Sequence, residues 1–84
     1  MDMGEGTIED PELLMRVMEA REEVEGTADK NELAALRAKY QREYDRVVAD
    51  LAQAFGKGEL PRAASLEMEL RYVSKILEQI VERL

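Results

Sequence analysis

The 84-residue sequence contains no cysteine and no histidine. Without cysteine there is no disulfide to brace the domain and no thiolate to bind metal or attack a substrate. Without histidine the commonest general acid/base and the commonest zinc ligand are both missing. The remaining reactive inventory is carboxylates, lysines, tyrosines and a few hydroxyls. No nucleophile–base pair, metal motif or glycine-rich phosphate loop assembles from it, so no catalytic residue, cofactor or metal is expected. Glu22-Glu23 and Glu67/Glu69 read as solvated charges; Glu22 is singled out below for its position. Long apolar runs are absent too, so no membrane span is expected. The opening Met1–Gly6 is acidic and short, unlike a signal peptide, and reads as a lead-in cut from a longer chain.

What is present is acid, unevenly spread. Residues 1–25 hold nine acids and two bases, which accounts for the whole net charge of −7. The remaining 59 residues carry ten acids and ten bases. Phosphate binding needs clustered Lys/Arg, so nucleic acid is excluded as a partner. The acidic first segment suits either a partner with a basic patch or a solubilising role near a helix N-terminus. A chain this short is one small domain with a thin stability margin.

Residues 1–9 read as an acidic flexible tail, and residues 10–84 as the folded domain. Asp10-Pro11 is a helix start, with Asp as N-cap and Pro at the first helical position. The first helix runs from Pro11 to about Glu25, where Gly26-Thr27 ends it. A second begins at Asp29 or Lys30 and reaches Phe55. Its stripe of Leu33, Leu36, Tyr40, Tyr44, Val47, Val48, Leu51, Ala54 and Phe55 recurs at spacings of three and four. Tyr40 and Tyr44 are expected in the core with their hydroxyls at its rim. Gly56-Lys57-Gly58 ends this helix. A third starts near Glu59–Pro61, with a stripe of Ala63, Leu66, Leu70, Val73, Leu77, Ile80, Val81 and Leu84. No strand signal or repeat appears. The expected fold is all-α: a three-helix bundle in which a long antiparallel helix pair carries a shorter first helix at one end.

Some apolar side chains fall outside these stripes. At about 100° per residue, Leu13, Val17, Ala20 and Val24 cluster on one face of the first helix. Leu14 lies about 85° off that centre, Met18 about 125° off, and Met15 nearly opposite. Glu19 and Glu22 are Met15's neighbours. On the third helix Tyr72 is about 130° from its stripe, beside Arg71. A patch of Leu14, Met15, Met18 and Tyr72, edged by Glu19, Arg21, Glu22 and Arg71, has the composition of a partner surface. The same residues also fit a wide core or a weak homodimer contact, since methionine fills gaps and lone exposed apolar residues are ordinary.

The stretch Asp10–Glu23, with its Leu14-Met15…Glu19-Ala20-Arg21-Glu22-Glu23 pattern, resembles the start of the C-terminal domain of HscB-type J-protein co-chaperones. Leu70-Arg71-Tyr72 resembles the Leu/Met-Arg-Phe/Tyr segment on that family's last helix. Helix count and the long middle helix agree, and the likeness covers residues 10–84. It implies a domain that binds an IscU-type iron–sulfur scaffold, while a J-domain engages a DnaK-type chaperone. It assigns scaffold binding to Leu14, Met15, Met18, Glu19, Arg21, Glu22, Arg71 and Tyr72, and a location in the mitochondrial matrix or the bacterial cytoplasm. Two departures stand out. The J-domain's His-Pro-Asp signature cannot occur in a chain without histidine, so only the docking half of the job is expected. Met18 stands where the family often has leucine. The self-oligomerising bundle without scaffold binding is the rival reading.

Overall fold

The computed structural model describes residues 10–84; the tail expected over residues 1–9 lies outside them. Three helices follow one another: α1 (Pro11–Glu25), α2 (Lys30–Gly56) and α3 (Leu60–Arg83). Their starts are chemical. Asp10 Oδ1 accepts from the backbone N–H of Glu12 at 3.0 Å and of Leu13 at 3.4 Å, and Pro11 opens the helix. Asp29 Oδ1 does the same for Asn31 N–H at 2.8 Å. These bonds satisfy donors that a helix N-terminus otherwise leaves free, each worth about 1 kcal/mol.

The helix ends differ in kind. Gly26 closes α1 in right-handed geometry, with φ −82°, so left-handed freedom is not what that position uses. Gly58 in the α2–α3 turn does adopt positive φ, at 71°. There the chain reverses tightly enough for Glu59 N–H to donate to Ala54 C=O at 2.9 Å.

The turn lays α2 and α3 side by side as a long antiparallel hairpin. Its tip is held by Val47, Ala54, Ala63 and Leu66, flanked by the half-buried Leu51 and Leu70. Small side chains at 54 and 63 let the two backbones approach near the turn. Toward the other end α1 joins. Ala20 and Val24 of α1 pack with Leu33 and Leu36 of α2 and Ile76 and Ile80 of α3, and Tyr40 lies against them. Arg16 meets Glu69, and Val24 packs in one cluster with Ile80, so α1 runs parallel to α3 and antiparallel to α2. Its fifteen residues leave the hairpin tip uncovered.

The buried face of α1 is Leu13, Val17, Ala20 and Val24, as the spacing predicts. The long stripes are narrower than expected. Val48, Phe55, Val81 and Leu84 are exposed, whereas Ile76, absent from the expected stripe, is 4% exposed. The reason is the position of α1. It covers one side of the hairpin only, so the stripe residues that lean to that side are buried and those that lean away are not.

Val24, Leu33, Val47 and Ile80 are the largest fully buried side chains. Ile80→Ala is expected to cost about 2–5 kcal/mol, because it removes apolar surface and leaves a cavity where all three helices meet. Phe55→Ala, at an exposed position, is expected to stay within about 0.5 kcal/mol. Urea denaturation followed by circular dichroism measures both.

Candidate protein-docking surface

On α1 three large apolar side chains stand among the charges on the face turned away from the core. Leu14 is 41% exposed, Met15 62% and Met18 56%. Met18 follows Met15 by three residues and Leu14 by four, so it neighbours both on the outer surface of the helix. Arg21, Glu19 and Glu22 are exposed among them. A solvated helix face is normally charged, so three large apolar groups together carry an unrecovered hydration cost that a partner can relieve.

Beside this face a groove opens where α1 meets the hairpin. Glu19 and Glu22 line it from α1, Tyr40 from α2 and Tyr72 from α3, over a floor that includes Val17, Val73 and Ile76. The structure therefore brings Glu19, Glu22 and Tyr72 to one concavity, and Tyr72 is half-buried there. Leu14, Met15, Met18 and Arg21 stand outside it on the exposed surface of α1. Arg71 does neither. It is exposed, and its guanidinium faces Glu67 of its own helix at 3.7 Å.

The groove is edged by a charge network that the reading of isolated carboxylates missed. Glu69, with its side chain 13% exposed, accepts from Arg16 of α1 at 2.8 Å and from Arg46 of α2 at 2.9 Å. Arg46 also reaches Glu43 at 3.0 Å and Asp50 at 2.9 Å, and Arg16 lies 3.6 Å from Glu43. The hydrogen bond that Arg46 donates to Glu43, with the charges of Glu43 and Glu69 adding, keeps Arg46 more basic than usual although partial burial works against it. One signal in the sequence marked Glu69: it falls three after Leu66 and four before Val73, on the edge of a buried stripe. A charge at such a place needs a partner.

Glu23 has partners as well. Tyr40 donates its hydroxyl proton to Glu23 Oε1 at 2.9 Å, and Lys39 Nζ lies 3.4 Å from the same oxygen. Tyr40 thus packs its ring against the core with its hydroxyl at the rim, as expected. Burial, the Glu23 hydrogen bond and the charges of Glu23, Glu43 and Glu19 push its pKa up to about 12. With these carboxylates engaged, Glu19 and Glu22 are the groove acids with no hydrogen-bond or ion-pair partner among the described residues.

The family described as the HscB C-terminal oligomerisation domain matches residues 9–81. The chain belongs to the HscB C-terminal domain family. Curated relatives agree: the co-chaperone protein HscB homologs of Vibrio vulnificus strains YJ016 and CMCP6 are each 32% identical over 78 residues. The match covers 88% of this chain and 46% of each relative, so the chain spans about half their length. No solved structure matches. The match to the HscB domain takes in all three helices, and with them the Leu14-Met15 face and the Tyr72 groove. Among the described residues no helix is long and apolar enough to cross a membrane.

Two outcomes follow from the network. Glu69→Gln is expected to lower stability by about 0.5–1.5 kcal/mol, an effect that shrinks in roughly 1 M salt because both arginines are about half exposed. Denaturation at low and high salt measures it. Tyr40 has a folded-state pKa of about 12 against an ordinary 10.0. Its contribution to stability is therefore complete below about pH 10 and is lost as pH rises toward about 12, where the unfolded chain ionises first. Wild type should lose more stability than Tyr40→Phe between pH 9.5 and 11 (roughly the window set by these two values), measured by urea titration at each pH.

Proposed function

We propose that this domain is the docking half of an iron–sulfur co-chaperone: it binds an IscU-type scaffold protein and has no catalytic role. The observation that supports this best is the exposed Leu14-Met15-Met18 face, lying on the helix whose sequence resembles the family's scaffold-binding segment. The relatives' printed name, co-chaperone protein HscB homolog, points the same way.

In this reading Leu14, Met15 and Met18 insert into the scaffold surface and Tyr72 offers a ring from the adjoining groove. Glu19 and Glu22 supply carboxylates for basic or N–H groups of the scaffold, and Arg21 supplies a guanidinium beside them. Arg71 contributes by exchanging Glu67 for a scaffold acceptor, which costs little because that pair is exposed. Each apolar group buried is worth about 1.5–3 kcal/mol, and association entropy offsets much of the sum, giving an affinity of about micromolar. Rim charges govern partner choice and on-rate more than affinity.

A DnaK-type chaperone enters only through a J-domain, which this histidine-free sequence does not contain. Joined to one, the domain would hold the scaffold where the chaperone can act on it. The setting is the mitochondrial matrix in a eukaryote or the cytoplasm in a bacterium. The family's description also names oligomerisation. Five further large apolar side chains are exposed away from α1, so self-association need not use the scaffold face.

The triple variant Leu14→Ala/Met18→Ala/Tyr72→Ala is expected to bind an IscU-type scaffold at least about 100-fold more weakly, with its helical circular dichroism retained. Calorimetric titration measures this. Unchanged affinity in a folded triple variant would falsify the assignment.

A further inference from the structure

We infer that Met15 and Met18 form a reversible oxidation site, where a peroxide turns the apolar docking face of α1 polar without unfolding the helix. The inference rests on the reading of that face as the scaffold-docking surface.

Composition narrows where an oxidant acts. The chain has five methionines and no cysteine, so thioethers are its only sulfur. No thiolate competes for a two-electron oxidant. Among the described methionines, Met15 and Met18 are each more than half exposed, whereas Met68 is half-buried. Met68 lines the cavity between the start of α1 and α3, beside Leu13 and Leu66. Met1 and Met3 lie outside the described residues. The two accessible thioethers are thus three residues apart on one helix, as surface neighbours.

Their placement decides what oxidation does. α1 buries Leu13, Val17, Ala20 and Val24, and neither methionine belongs to that face. A sulfoxide at position 15 or 18 therefore stays in water in the free domain, and the core is untouched. In the docked state the same oxygen would be pressed into an apolar contact. A sulfoxide is a polar hydrogen-bond acceptor, and burying it unpaired opposes docking. Leu14 shares the surface but carries no sulfur, so it is inert to the oxidant and cannot give this response.

The thioether sulfur attacks one oxygen of hydrogen peroxide. The S–O bond forms as the O–O bond breaks, hydroxide leaves, and it takes the transferred hydroxyl's proton to become water. Sulfur is oxidised by two electrons and the peroxide is reduced by two. The return step takes two electrons from a dithiol, which becomes a disulfide, and the sulfoxide oxygen leaves as water.

The experiment oxidises the chain with hydrogen peroxide, removes the oxidant and then titrates an IscU-type scaffold. Peptide mass mapping over time is expected to show Met15 and Met18 gaining one oxygen at least about threefold faster than Met68. Helical circular dichroism is expected to be retained. Affinity for the scaffold is expected to fall at least about 30-fold, and to return after treatment with methionine sulfoxide reductases for both epimers and a dithiol. Met15→Leu/Met18→Leu keeps Met1, Met3 and Met68 and is expected to bind equally before and after peroxide, whatever its starting affinity. Equal affinity of oxidised and untreated wild type would overturn the inference and leave the docking reading standing. So would loss of helix on oxidation, equal peroxide sensitivity in the leucine variant, or Met68 reacting as fast as the α1 pair. An untreated chain that binds no scaffold overturns the docking reading itself, and the inference with it.

Discussion

The first helix is too short and too lightly packed to close the bundle by itself. Its buried face is Leu13, Val17, Ala20 and Val24, of which only the first is large. Apolar contacts among such small groups attract without fixing direction. Register comes from Glu69, which binds Arg16 from one helix and Arg46 from the other while its own side chain is nearly covered. Tyr40 and Lys39 fasten the far end of α1 through Glu23. Together these bonds set where α1 sits, and its seat determines which surfaces of the hairpin are buried, grooved or bare.

That arrangement separates the molecule's surfaces by chemistry. The outer face of α1 combines exposed leucine and methionine with acids and an arginine. The groove beside it adds Tyr72 and the carboxylates of Glu19 and Glu22. The far side of the hairpin is apolar at its ends and balanced in charge. The first two are the surfaces that the proposed scaffold docking would use. The third follows from geometry: one short helix cannot cover both sides of a two-helix hairpin.

Much of the fold was legible because helix signals are local. Asp10-Pro11 and Asp29 announced their caps, the glycines at 56 and 58 announced the turn, and the spacing of apolar residues announced α1's buried face. The long stripes were harder. Val48 and Val81 obey helical periodicity as well as Val47 and Ile80 do, yet one pair is exposed and the other fully buried. Periodicity reports that a helix has an apolar side; it does not report how wide a neighbour covers it. Ile76 was overlooked for the converse reason, since its burial depends on α1 arriving against that flank of α3.

The sequence alone determined three helices, their lengths, the acidic bias of the first and the off-core placement of Leu14, Met15 and Met18. Each depends on residues within a turn or two of one another. Tertiary structure decided the rest. It joined Glu69 to two arginines 53 and 23 residues away, and Tyr40 to a carboxylate 17 residues away. It drew Tyr72 into a groove with Glu19 and Glu22 and left Arg71 turned to its own helix. Those outcomes depend on how rigid helices pack, and packing is settled by the shape of every contacting side chain at once, which no local pattern encodes.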